Sequence, residues 1–210
     1  MTAPPLAQLR PLLLVDIDGV ISLFGQPAAG SPERLAAGGT PLDASFHAIE
    51  GIPHFLSSTA AAHLLSLAEL FELVWASGWE ERANEHLPHL LGLPKRLPFL
   101  RFPRGVLAAG AGNIPGGFLA GAEEPGGPSG AGGPQATLAH WKLQSIDAYA
   151  GERQLAWIDD AFNGACHEWA AARATPTLLV QTEPELGLTS REAAQLEEWA
   201  LELKAQAAGR

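Results

Sequence analysis

Two carboxylates stand two residues apart at the end of an aliphatic run, in Leu12-Leu-Leu-Val-Asp16-Ile-Asp18-Gly-Val20. Such a pair can divide nucleophilic and acid–base work between its members, or hold a hard cation through oxygen. Two further acids, Asp159 and Asp160, close another apolar stretch, Gln154-Leu-Ala-Trp-Ile158. Ser77 and Gly78 follow a third, Phe71-Glu-Leu-Val-Trp75. Carboxylates gathered in one place repel one another unless a cation lies between them. Mg²⁺ suits that arrangement, because it needs only one or two carboxylates and completes its shell with water and a substrate phosphate. Only three of the 13 basic residues are lysines (Lys95, Lys142 and Lys204), so Lys142, between the second and third stretches, stands out as a candidate partner.

Bringing these residues together is a task for the elements that carry them. A short apolar run bounded by turn residues predicts a strand buried on both faces, as in a parallel sheet. Ligands of open parallel sheets bind beyond the carboxyl ends of the strands. The pattern predicts strands at 12–15, 71–75, 154–158 and 177–181, with a weaker one at 97–102 that Pro98 marks as an edge or short piece. Helices are predicted at about 59–70, 79–91, 138–150 (capped by Thr137) and 164–173, and a last one opens with a capping box, Thr189-x-x-Glu192. Val20–Phe24 is expected to pair with Phe46–Ile49 as a small hairpin. Alternating strands and helices imply an α/β fold, a three-layer Rossmann-like arrangement around a mostly parallel sheet. Residues 1–210 read as one catalytic domain. Within it, residues 105–135 hold eleven glycines and four prolines and are expected to form a flexible loop, a candidate lid.

Asp-x-Asp-Gly-Val after a strand, Ser after a second, a downstream Lys and Asp-Asp after a later strand occur here in that order, at Asp16/Asp18, Ser77, Lys142 and Asp159/Asp160. In this the chain resembles the haloacid dehalogenase superfamily, over residues 12 to about 181. The resemblance implies a Mg²⁺-dependent phosphomonoesterase. Asp16 would be the nucleophile, forming an aspartyl-phosphate. Asp18 would serve as general acid and then base, and would offer its backbone carbonyl to the metal. Ser77, with Gly78, would bind the transferring phosphoryl group, and Lys142 would bridge phosphate and nucleophile. Asp159 would be the preferred metal ligand of its pair, with Asp160 binding directly or through water. Dehalogenating members lack an acid at the position of Asp18, so carbon–halogen cleavage ranks a distant third. The gaps after Asp18 and Ser77 do not resemble cap domains. A nearly capless, open site is expected, one that takes large substrates or borrows closure from a partner subunit in a homo-oligomer.

The same residues have plainer readings. Asp16, Asp18 and the Asp159-Asp160 pair could be turn residues, Lys142 a solvated helix charge, and Ser77-x-x-Glu80 a capping box. His86 and His89, Lys95/Arg96/Arg101/Arg104 and Cys166 read as surface or packing residues, and Trp79 as a pocket-lining candidate. A net charge of −10 argues against long nucleic acids, but not against nucleotides or other small phosphorylated substrates. A nucleotide or nucleic-acid-end phosphatase is therefore an alternative, as is a non-catalytic metal- or phosphate-binding regulator. No apolar run approaches the roughly 20 residues of a membrane span. Residues 1–15, broken by Pro4, Pro5, Arg10 and Pro11, do not read as a signal peptide. With one cysteine and so no internal disulfide, a soluble cytoplasmic protein is expected.

Overall fold

The computed structural model describes residues 10–24, 43–103 and 139–209. The glycine-rich stretch 105–135, most of the loop expected before residue 45, and Thr137 lie outside the described residues. Strands β1 (Leu12–Val15), β5 (Glu72–Trp75), β6 (Leu155–Asp159) and β7 (Thr177–Gln181) form a parallel sheet in the order β5-β1-β6-β7. Leu12 stands level with Glu72 on one side and Leu155 on the other, and that register runs to Val15, between Trp75 and Ile158. The three strands that carry the candidate residues therefore end at the same level.

Both faces of the sheet are covered, which explains why β1 is apolar without alternation. Leu13 and Val15 pack with Ala60, Leu64 and Leu67 of α1 (Ser58–Leu67), Leu87 of α2 (Arg82–Leu91) and Leu196 of α5 (Ser190–Ala208). Leu12 and Leu14 pack on the other face with Ile146 of α3 (Leu143–Ala150) and Cys166 of α4 (Gly164–Ala172). Local chemistry sets the helix ends. The Ser57 hydroxyl accepts the Ala60 amide at 3.0 Å to start α1. Gly92, in the left-handed region at φ 70°, ends α2. Thr189 and Glu192 close the expected capping box of α5. Among the described residues, no helix is long and apolar enough to cross a membrane.

Three expectations need correction. The expected pairing of residues 20–24 with 46–49 does not form. Instead β3 (Ala44–Ile49) and β4 (Ile52–Ser57) make the hairpin, and β2 (Ser22–Leu23) pairs with the far edge of β4. The two-residue turn Glu50-Gly51, with φ of 52° and 81°, matches the twist of a hairpin and fixes this register. The weak strand at 97–102 shrinks to a single bridge, in which Trp75 donates to Pro98 O and accepts from Leu100 N, each at 2.8 Å. Pro98 has no N–H with which to extend the ladder. The helix expected from 138 opens as a turn of 3₁₀ helix, Ala139–Lys142, before α3 begins.

Candidate active site

In this sheet the chain leaves β1 toward β5 and leaves β6 toward β7, so the connections diverge between β1 and β6. That divergence opens a crevice at the carboxyl ends of the two central strands. Asp16 follows β1 and donates its amide to Ile158 O at 3.0 Å; Asp159 ends β6. Both carboxylates are buried, and the Lys142 ammonium joins them, 2.8 Å from Asp16 Oδ2 and 2.7 Å from Asp159 Oδ2. The 3₁₀ turn delivers that lysine. Ala139 N bonds Ala161 O at 2.9 Å, and neighbouring Trp141 packs edge-on against Phe102, with ring centroids 4.6 Å apart. Lys142 is thus a buried partner of two acids and not a solvated helix charge.

Burial alone would lower the pKa of Lys142, but the charges and hydrogen bonds of Asp159 and Asp16 outweigh it and raise it above the ordinary lysine range. Burial raises Asp159 most, Lys142 pulls it back, and the Asp16 charge pushes it up again. Asp160 is half-buried and driven up to about 7 by burial and the charges of Asp16 and Asp159. One ammonium does not neutralise three acids. Ligand oxygens of Asp16, Asp159 and Asp160 lie within 4.8 Å of one another, a donor set that fits a hard divalent cation.

Asp18 stands apart from that ion pair. Val20, Ile21 and Ser22 all turn their amides onto Ile17 O, at 3.2, 2.8 and 2.9 Å, and this tight turn aims Asp18 at the loop after β5. There Asp18 Oδ2 accepts the Trp79 indole N–H at 3.0 Å. Burial first, then the Asp16 charge, push the Asp18 carboxyl up to about 7. A group with that pKa can both give and take a proton near neutrality.

Ser77 leaves the sheet beside Asp16, because Ala76 N bonds Val15 O at 2.8 Å. Ser77 is buried, and its hydroxyl accepts only a long 3.5 Å bond from Trp79 N among the described residues. The capping-box reading of Ser77 fails. α2 starts at Arg82, and the Glu80 carboxylate accepts the Phe102 amide at 2.7 Å instead. Gly78 is exposed at the same strand end. His86 approaches Glu50 at 3.7 Å, Arg101 pairs with Glu81 at 3.3 Å, and Cys166 is buried packing. These three stay outside the constellation.

Sequence reasoning assigned no role to two residues that shape the site. Gly19 has φ 71°, and a Cβ there would lie within 3.0 Å of the Asp160 carboxylate, so only glycine lets the two loops close together. Thr182 is buried after β7. Its hydroxyl bonds Gly19 O at 2.8 Å and its amide bonds Asp159 O at 3.1 Å, so it ties the two acidic loops to each other. The glycine in Asp-x-Asp-Gly was a usable signal for the first; nothing local marks Thr182. No protein-family model, curated protein or solved structure matches this chain.

Proposed function

We propose that the chain is a phosphomonoesterase of the haloacid dehalogenase type, acting on a small phosphorylated substrate through an aspartyl-phosphate on Asp16. The observation that carries this reading is the different treatment of two acids two residues apart. Asp16 is clamped by the Lys142 ammonium, whereas Asp18 is excluded from that ion pair and pushed up to about 7. Contrasting environments of this kind separate a nucleophile from an acid–base group. Asp16, Asp159 and Asp160 would hold a Mg²⁺ ion, with Asp18 adding its backbone carbonyl. Asp159 already accepts from Lys142 and from Ala161 N, while among the described residues no other residue donates a hydrogen bond to the Asp160 side chain. Asp160 is therefore the freer of the pair to bind directly. The cation would supply charge neutralisation for the phosphoryl oxygens.

An oxygen of Asp16 attacks phosphorus while Asp18 protonates the departing ester oxygen. Lys142 holds the Asp16 carboxylate in place and balances charge that develops on the phosphoryl group. Ser77 and Gly78 bind the phosphoryl oxygens, the hydroxyl being free of a capping duty. Asp18 then takes a proton from the water that releases phosphate. A binding module has no use for an acid–base group beside the clamp, which favours turnover over mere binding. The decisive experiment is hydrolysis of 4-nitrophenyl phosphate with Mg²⁺ by the unaltered protein and by Asp16→Asn. Turnover that Asp16→Asn abolishes is expected. Turnover surviving the substitution would remove Asp16 as nucleophile. No turnover across a panel of phosphoesters would favour the regulator.

A further inference from the structure

We infer that Trp79 is a positioning residue for proton transfer by Asp18, held in place by His54 of the β4 strand; the inference rests on the phosphomonoesterase reading. Trp79 is buried, at 9% exposure, yet it lies in the loop after β5 and not in a regular element. Its indole N–H donates to Asp18 Oδ2 at 3.0 Å. The His54 ring meets the indole edge-on, with centroids 4.8 Å apart and planes at 68°. His54 Nδ1 lies 3.1 Å from Ser22 Oγ. Ser22 returns to the Asp18 turn, since its carbonyl accepts the Gly19 amide at 2.8 Å. A circuit thus runs from Asp18 through its neighbour Gly19 to Ser22, then His54 and Trp79, and back to Asp18. It joins three segments of the chain around a single carboxyl group.

The circuit has a chemical consequence. An indole nitrogen is a donor only. Oδ2 of Asp18 is therefore held as an acceptor in either protonation state, and the transferable proton is steered to Oδ1. In the first step the Asp16 oxygen–phosphorus bond forms, the phosphorus–ester oxygen bond breaks, and the Oδ1 proton passes to the departing oxygen. In the second step a water oxygen bonds to phosphorus, its proton goes to Oδ1, and the Asp16–phosphorus bond breaks. Trp79 touches neither reacting atom. It fixes which oxygen of Asp18 carries the proton and where that oxygen points.

The test is the dependence of kcat/KM on leaving-group acidity, measured with 4-nitrophenyl, phenyl and 4-methoxyphenyl phosphate in the presence of Mg²⁺. An ester whose alcohol leaves unaided needs little protonation; a poor leaving group needs it fully. Trp79→Phe keeps an aromatic ring and deletes the N–H. It is expected to lose about ten- to a hundredfold on 4-methoxyphenyl phosphate, part of the roughly 10²–10⁴ that acid catalysis contributes, and less than about threefold on the nitrophenyl ester. Because the comparison is made within one preparation, partial unfolding cancels. Should Trp79→Phe fail to fold, 3-benzothienylalanine at position 79 keeps the outline of the ring and replaces N–H by sulfur. An equal loss on all three esters makes Trp79 purely structural and overturns the inference while leaving the phosphatase reading intact. Absence of turnover by the unaltered protein overturns both.

Discussion

At the scale of single residues, the site is a charge problem solved in part by Lys142. Its ammonium lies within 2.8 Å of one buried carboxylate and 2.7 Å of another. Lys142→Met is expected to lower kcat by about 10²–10³, the usual cost of removing one charge-stabilising donor. It should also destabilise the metal-free protein by about 3–5 kcal/mol, because Asp16 and Asp159 are left buried without their cation. Urea unfolding in EDTA reads the second effect, and an unchanged midpoint would return the lysine to a minor role. Asp160 behaves in the opposite way. Its carboxyl is raised from an ordinary 3.8 to about 7, so the unfolded chain ionises it more readily than the folded one. A raised carboxyl contributes stability that is present below its unfolded pKa and lost as pH rises through about 7. Asp160→Asn escapes that loss. In EDTA at pH 8 it should be more stable than the unaltered protein, by an amount on the order of 1–3 kcal/mol after allowance for partial solvent exposure. The difference should vanish near pH 4. Thermal unfolding against pH checks both the sign and the window.

Among elements, helix ends and strand ends respond to different information. α5 begins where Thr189 N donates to Glu192 Oε2 at 3.0 Å and Arg191 Nε donates to Glu192 Oε1 at 2.6 Å. Burial alone would raise the pKa of Glu192, but the hydrogen bonds from Thr189 and Arg191 outweigh it and hold it below the ordinary glutamate range. The sign is therefore the reverse of that for Asp160. This stability is present above the unfolded pKa and is lost as pH falls through the lower folded value. Thr189→Ala should cost about 1 kcal/mol at pH 7, and the deficit should shrink at acid pH as Glu192 protonates. A deficit independent of pH would separate the cap from the titration. The box was legible in sequence because all its parts lie within four residues. The central strands β1 and β6, buried at every residue, were legible for a related reason. A strand buried on both faces needs no long-range information to look apolar throughout. The β3–β4 hairpin was not legible in its true register. Ala44–Ile49 and Ile52–Ser57 mix His, Ser and Pro with apolar residues, and the turn is Glu-Gly, not the stronger Asn-Gly signal. The acids, Ser77 and Lys142 were readable from their order and strand context. The Trp79–Asp18 bond, Gly19 against Asp160, and Thr182 bridging both acidic loops depend on approaches between segments far apart in the chain, and no local pattern encodes them.

On the scale of the whole molecule, the charge of the chain opposes the chemistry proposed for its site. The protein carries a net −10, and a phosphate monoester is itself an anion. Locally the imbalance has the same sign, with Asp16, Asp18, Asp159 and Asp160 set against one ammonium. A divalent cation held among the carboxylates would reverse only the nearest part of that field. Over longer range the approaching substrate still meets a negative body, and repulsion of this kind slows encounter. Salt shortens its reach, from about 30 Å at 0.01 M to about 10 Å at 0.1 M. With saturating Mg²⁺, kcat/KM for an anionic aryl phosphate should therefore rise, by about two- to threefold, as KCl goes from roughly 10 to 100 mM. kcat should stay level, because chemistry within the buried site is screened far less. A fall in kcat/KM over the same range would mean that a local basic patch steers substrate despite the overall charge. Repeating the titration with a neutral phosphate triester as a competitive ligand separates the two, because its inhibition constant carries no long-range repulsion and should not follow the same slope.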